Sequence, residues 1–194
     1  MKQKAGAIFM LAASLALMPF AGGAQEQTDG GLSLGEPVDD TPQPGQTYTD
    51  STQGDWSIRC IKLAEGTDPC QMNQRMADET GNSIAEIAMF IVEPGGAAVM
   101  GANIVTPLET LLTQQLRVRI DDAEAKAYPF TFCAQSGCVA RVGFTAADLN
   151  NMQKGTTATV TIVPAQAPDR TVNAVLSLNG FTAAYDRLLE LSAN

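Results

Sequence analysis

The sequence predicts a mainly β domain, a two-sheet sandwich with one short helix and a C-terminal helix. Three observations lead there. Short runs in which apolar and polar residues alternate recur at close spacing, separated by Gly, Pro, Asn and Asp, as half-buried strands require. Only two stretches repeat at helical spacing. Four cysteines fall into two local pairs, the staples expected of a small exported β domain.

The N-terminus is read first as an address. Lys2 and Lys4 precede an uncharged apolar run over residues 7–21, and Gly22 and Ala24 stand where a signal peptidase reads small residues. The run is about fifteen residues, short of the roughly twenty that span a membrane, and it contains Pro19, which argues against a retained anchor. Residues 1–24 are therefore a signal peptide cleaved after Ala24. The first cysteine is Cys60, so no lipid-bearing N-terminal cysteine arises, and no stable membrane insertion is expected after cleavage. Losing Lys2 and Lys4 takes the net charge from -9 to -11. Residues 25–55 hold seven acidic residues and no basic one, with Pro37, Pro42 and Pro44 among them. Low hydrophobicity and one-sign charge mark residues 25–53 as a solvated, disordered linker, with an acidic partner-binding tail as the alternative. The folded domain is placed at residues 54–194.

Within it, Trp56, Ile58 and Cys60 alternate with Ser57, Arg59 and Ile61, and residues 71–76 follow as a pairing partner. Residues 83–92 are apolar enough for a central strand, with Glu86 either facing out or marking an edge, and Glu93-Pro94-Gly95-Gly96 ends them. Residues 97–105 give another strand. Leu116, Val118 and Ile120 alternate with Arg117 and Arg119, after which Asp121 and Asp122 turn the chain. Residues 126–133, with Tyr128, Phe130 and Phe132, and residues 138–144 form a hairpin. Thr145 with Asp148 three residues on matches a capping box, and Ala146, Leu149 and Met152 continue helically to Gly155. Ala158, Val160 and Ile162 alternate with threonines, and residues 171–178 form the last strand. Thr182 is read as the cap of a terminal helix whose Tyr185, Leu188, Leu189 and Leu191 face the sheet.

An even number of cysteines in an oxidising compartment reads as two disulfides, for which three connectivities are open. Local pairing, Cys60 with Cys70 and Cys133 with Cys138, is favoured because each pair flanks a turn-rich segment. Loops this short stabilise by about 2 to 3 kcal/mol each. A redox-active pair would be a CxxC opening a helix, whereas four residues separate Cys133 from Cys138 between strand-like runs.

Composition removes whole classes of function. There is no histidine, which excludes Ser-His-Asp and Cys-His nucleophile systems and histidine-bearing zinc or haem sites. A net charge of -9 and a pI near 4.4 oppose nucleic-acid binding. Met72, Met76, Met89 and Met100 are read as core filling rather than as a thioether copper site, there being no histidine or Met-x-Met spacing beside them. No cofactor is expected.

Several motifs then coincide. Gly54-Asp55-Trp56 enters the strand reaching Cys60; Cys70, Phe132-Cys133 and Gly137-Cys138-Val139-Ala140-Arg141 follow; Ser177-Leu178-Asn179-Gly180-Phe181-Thr182-Ala183-Ala184 closes the set. In order and spacing they resemble the invasion-associated locus B family of Gram-negative bacteria, over residues 54 to 189. The resemblance implies an exported protein with an immunoglobulin-like sandwich and a namesake associated with host-cell invasion. It brings no catalytic residues. Trp56, Gly137, Ser177, Leu178, Gly180 and Phe181 are the motif positions, structural in type: Trp56 as a core plug, Gly180 as a tight turn that drops Phe181 onto the core.

The leading functional reading is a non-enzymatic binding or accessory module, periplasmic or otherwise of the envelope, whose partner is an envelope or host protein met at sheet edges and hairpin loops. One alternative is a carboxylate-dependent envelope hydrolase using Asp121, Asp122 and Glu124, although a solvated turn is a poor place for paired acid/base groups. Another is a calcium-dependent adhesion module, against which stands the lack of DxDxDG-like spacing.

Overall fold

The structure, a computed structural model, describes residues 35–193 except Glu79, so the expected signal peptide (1–24) and residues 25–34 of the linker lie outside the described residues. Residues 35–39 belong to a unit of their own and are exposed, without regular secondary structure. The second unit begins at Asp40.

In that unit the alternating runs become strands. First come β1 (Thr47–Gln53), β2 (Trp56–Ile61), β3 (Cys70–Ala77), β4 (Ser83–Ile91) and β5 (Met100–Thr106). A short 3-10 turn at Leu112–Gln114 leads to β6 (Leu116–Ile120), β7 (Lys126–Tyr128), β8 (Phe130–Ala134) and β9 (Gly137–Phe144). Helix α1 (Ala146–Lys154) precedes β10 (Thr157–Ile162) and β11 (Val172–Ser177), and α2 (Phe181–Ser192) ends the fold.

The strands make one antiparallel sheet in the order β7-β6-β10-β11-β3-β4-β5-β9-β8, with β2 on β3 and β1 on β2. Its two ends, β7 and β8, are sequence neighbours separated only by Pro129. Proline has no N–H to give a ladder and holds the preceding residue extended, so this run pairs with β6 before Pro129 and with β9 after it. The sheet thereby curls nearly shut, and Tyr128 on β7 meets Phe144 on β9 edge-on, ring centroids 6.4 Å apart. The mainly β class, the short helix and the C-terminal helix are as the sequence predicts. The facing layers of the sandwich are opposite walls of one continuous, barrel-like sheet.

Inside lies one apolar core. Leu116, Val118 and Ile120 face it while Arg117 and Arg119 face water, and Met72, Met76, Met89, Met100 and Met152 are fully buried in it. Thr145 caps α1 as its spacing predicts: its hydroxyl accepts from the Asp148 N–H, and the Asp148 carboxylate accepts from the Thr145 N–H. Gly180, not Thr182, is the N-cap of α2, at φ +82, a left-handed conformation in which a side chain is strained. On α2, Phe181, Ala184 and Leu188 are buried, whereas Leu189 is exposed.

The linker expectation needs correction at its C-terminal end. Residues 47–53 are not a spacer but strand β1, paired with β2 from Thr47↔Ile61 to Gln53↔Trp56, so folding begins well before residue 54. Strand β1 contributes Tyr48, packed on the core, and Asp50, which Arg187 of α2 grips at 2.9 and 2.8 Å. Composition hid it, because β1 is polar and half-exposed; its order comes from β2 and α2. A chain beginning at residue 54 should therefore melt below one beginning at residue 40, by roughly 4 to 12 °C for a loss of about 2 to 3 kcal/mol. Equal melting midpoints by circular dichroism would show β1 dispensable.

Candidate functional site

The motif residues that lie 120 residues apart in sequence meet where β3 changes partners. Strand β2 pairs with β3 from Cys60↔Cys70 to Ser57↔Asn73, but β11 pairs with it only at Val175↔Ala77. The buried side chain of Gln74 fills the interval and acts as a strand partner would: its Nε2 donates to the Ser177 carbonyl (2.9 Å) and its Oε1 accepts from the Ser177 N–H (2.8 Å). The indole Nε1 of Trp56 donates to the same carbonyl at 3.1 Å. Trp56 itself is fully buried, edge-on to Phe181 at 5.4 Å.

On the solvent side, the Ser177 hydroxyl donates to Asp55 Oδ2 at 2.6 Å, and the Asp55 N–H donates to the Asn179 carbonyl at 3.2 Å. A Cβ on Gly54 would lie 2.5 Å from the Asn179 carbonyl oxygen, and one on Gly180 would lie 2.1 Å from the Gln53 carbonyl oxygen. Only glycine lets the two turns interlock. Leu178 is buried beside them, its N–H donating to the Thr156 carbonyl. Trp56, Ser177, Leu178, Gly180 and Phe181 thus form one structural clip. Asp55 and Asn179, already within the two motif runs, belong to it too, and so does Gln74, which sequence reasoning missed.

Both disulfides join directly opposed residues of neighbouring strands, Cys60 with Cys70 (Cα–Cα 4.1 Å) and Cys133 with Cys138 (4.0 Å). Neither is at a helix N-terminus. Gly137, at φ +136, lets the second hairpin lie against β5: a Cβ there would be 2.3 Å from the Thr106 carbonyl oxygen.

The three carboxylates considered for acid/base chemistry sit on an exposed turn after β6. Asp121 accepts from the N–H groups of Thr156 and Thr157 at 3.0 to 3.2 Å and so ties that turn to the start of β10. Nearby, Glu124 borders a cavity of about 240 Å³ with Lys126, Tyr128 and Asp148. Lys126 Nζ donates to both Asp148 oxygens at 2.6 and 2.8 Å. Burial alone would raise the Asp148 carboxyl, but the hydrogen bonds from Lys126 and Thr145 outweigh it and hold it below the usual carboxylate range. The same pairing raises Lys126. Among the described residues no group of three or more Cys, Asp or Glu is arranged to hold a metal ion.

A polar groove opens beside the clip on the outer face of the sheet. Asp55, Ser57, Arg59, Asn73, Arg75 and Glu86 are among the residues enclosing about 260 Å³, and a second groove of about 230 Å³ shares Arg75 and Glu86 and runs toward Ser136 of the β8–β9 hairpin. Arg59 reaches Glu86 at 3.4 Å, a loose and exposed pair that leaves most of both groups' hydrogen-bonding capacity open.

The family model for invasion associated locus B (IalB) protein matches residues 56–189, from the clip tryptophan into the last turns of α2. The chain belongs to this family. Invasion protein B homologs of Brucella abortus, strain 2308 and biovar 1 strain 9-941, are each 30% identical over 149 residues, covering 76% of this chain and 83% of the relative. The crystal structure of invasion associated protein B from Bartonella henselae superposes with a TM-score of 0.64 at 23% identity, covering 74% of this chain and 96% of that one, which establishes a common fold. The IalB match begins at Trp56, so β1 stands outside it.

Two outcomes follow from the clip and from the capped helix. Gln74→Leu leaves the Ser177 N–H without its partner, and Gly180→Ala forces a left-handed residue against Gln53; each should cost about 1 to 3 kcal/mol in urea unfolding with both disulfides intact. A loss under about 0.5 kcal/mol in both would remove the clip from the account. For Asp148, a depressed carboxyl contributes its full stability above its unfolded value near about 3.9, and that contribution is lost as pH falls through the lower folded value. Asp148→Asn should lose about 1 to 2 kcal/mol at pH 7, mostly as a weakened cap, and should destabilise less steeply than the parent between pH 5 and 2. Parallel acid limbs in the two unfolding curves would refute this.

Proposed function

We propose that this IalB-family chain is a periplasmic, non-enzymatic protein-binding module of the envelope. The two disulfides support an oxidising compartment outside the cytoplasm. The relatives are named invasion proteins, and among the described residues no helix is long and apolar enough to cross a membrane.

The observation that carries the reading is the outer face of β2 to β5. Its two grooves are shallow, the first polar and the second mixed, and they are joined through Arg75 and Glu86, with a guanidinium and a carboxylate available side by side on a rigid sheet. Sites that enclose a small substrate are deeper and mostly apolar, whereas amphoteric, well-supported sheet faces suit the side chains of another protein. The partner is an envelope or host protein that presents both charge signs.

Photo-crosslinking from position 83, an exposed position of the second groove, in intact cells, followed by pull-down, should recover a defined partner, and adding Arg75→Glu should abolish that recovery without altering the melting midpoint. Intact mass of the periplasmic form should show a chain starting at or near Gln25. Recovery unchanged by Arg75→Glu would move the binding surface off this face, whereas pull-downs that recover nothing, together with turnover of envelope substrates abolished by Asp121→Asn or Glu124→Gln, would replace binding with the carboxylate enzyme.

A further inference from the structure

We propose that the chain self-associates through the free edge of β8, two copies pairing antiparallel about a two-fold axis at Phe132. Strand β8 hydrogen-bonds to β9 along one side, and its other side has no strand partner among the described residues. Residues 131–134 are all exposed, and Phe132, the middle residue of β8, is 54% exposed. An aromatic left in water on an open strand edge is the arrangement that proteins ordinarily avoid by placing charge, proline or a covering element there.

The charge distribution says what can cover it. From Ala127 to Ala140 the sequence contains no charged residue, in a chain whose net charge is -9. Two copies repel over most of their surfaces, and this edge is where their backbones can meet without opposed like charges. A two-fold antiparallel pairing centred on Phe132 brings the two Phe132 rings together as a cross-strand aromatic pair and sets Thr131 against Cys133, both uncharged. On the outer face each ring continues into Val139 and Val105, the residues directly opposite in β9 and β5. The Cys133–Cys138 bridge holds the edge extended beforehand, so pairing orders little new chain. The register shift between Phe130 and Phe132 keeps the ladder short and the dimer weak.

Sedimentation velocity on the exported chain, over concentrations rising to about 1 mM, should give an apparent mass climbing toward twice the monomer value. Phe132→Lys and Phe132→Glu should each remain monomeric with unchanged melting midpoints, since the side chain is exposed. Mixed in equal amounts they should regain association, because the two-fold pairing sets position 132 against itself. A parent monomeric throughout the series would overturn the proposal, as would a dimer indifferent to both substitutions. So would a parent whose β8 amides gain protection from hydrogen exchange only when an envelope extract is added, an outcome that assigns the edge to a different protein.

Discussion

The fold depends on how β3 ends one partnership and starts another. A strand in a sheet must satisfy N–H and C=O groups along its length, and β3 borders β2 at its start and β11 at its end. Between the two, the backbones diverge, and a gap there would leave buried amides unpaired. Gln74 closes it with a side-chain amide, which offers a donor and an acceptor as a backbone peptide does, while Trp56 covers the same carbonyl from within the core. The β1–β2 hairpin, laddered to β3 from Ser57 to Cys60, and the wall of β6, β10 and β11, laddered to it at Val175, are thereby joined across the interval by a side-chain amide and an indole. The interlocked turns at Gly54 and Gly180 then set where α2 begins, and so where Phe181 enters the core.

Closure at the other side of the barrel uses a different device. Pro129 divides one extended run so that β7 serves β6 and β8 serves β9, which brings the two ends of the strand order together without a continuous ladder between them. Among the described residues, the incomplete closure leaves β8 with an open edge. Both disulfides lie within hairpins, so they stiffen strand ends and do not hold the walls together; the apolar core and the clip do that.

The parts of this architecture legible in the sequence are those set by short-range pattern. Alternation located β2, β6 and β10, the Thr145–Asp148 spacing located α1, and turn-flanked cysteines located the hairpins. The elements that were misread owe their conformation to distant residues. Strand β1 has a linker's composition and is ordered by β2 and by the Arg187–Asp50 pair, 137 positions apart. Gln74 looks like any polar strand residue until Ser177, 103 positions later, is beside it. Nothing in the local pattern of 126–133 marks the exchange of partners except Pro129. The motif residues were recognisable as a set, but that they touch one another is a property of the barrel alone.

That convergence bears on how far family membership reaches. Trp56, Ser177, Leu178, Gly180 and Phe181 are engaged with one another and with the backbone, buried or locked in turns, so they define a frame and leave little for a partner to read. Arg59, Arg75, Glu86 and Phe132 lie outside the clip on exposed strand positions where substitution costs the fold little. A chain can therefore match the IalB frame across its length and still present a different face. On the binding role proposed above, recognition falls to the outer surfaces of β3, β4 and β8, and the frame's contribution is to hold those surfaces still: β3 and β4 are paired on both sides and β8 is stapled by Cys133–Cys138, so a partner would meet side chains whose spacing is already set. The acidic surplus works in the same direction, because repulsion over most of the surface confines close approach to the few places where charge is mixed or missing.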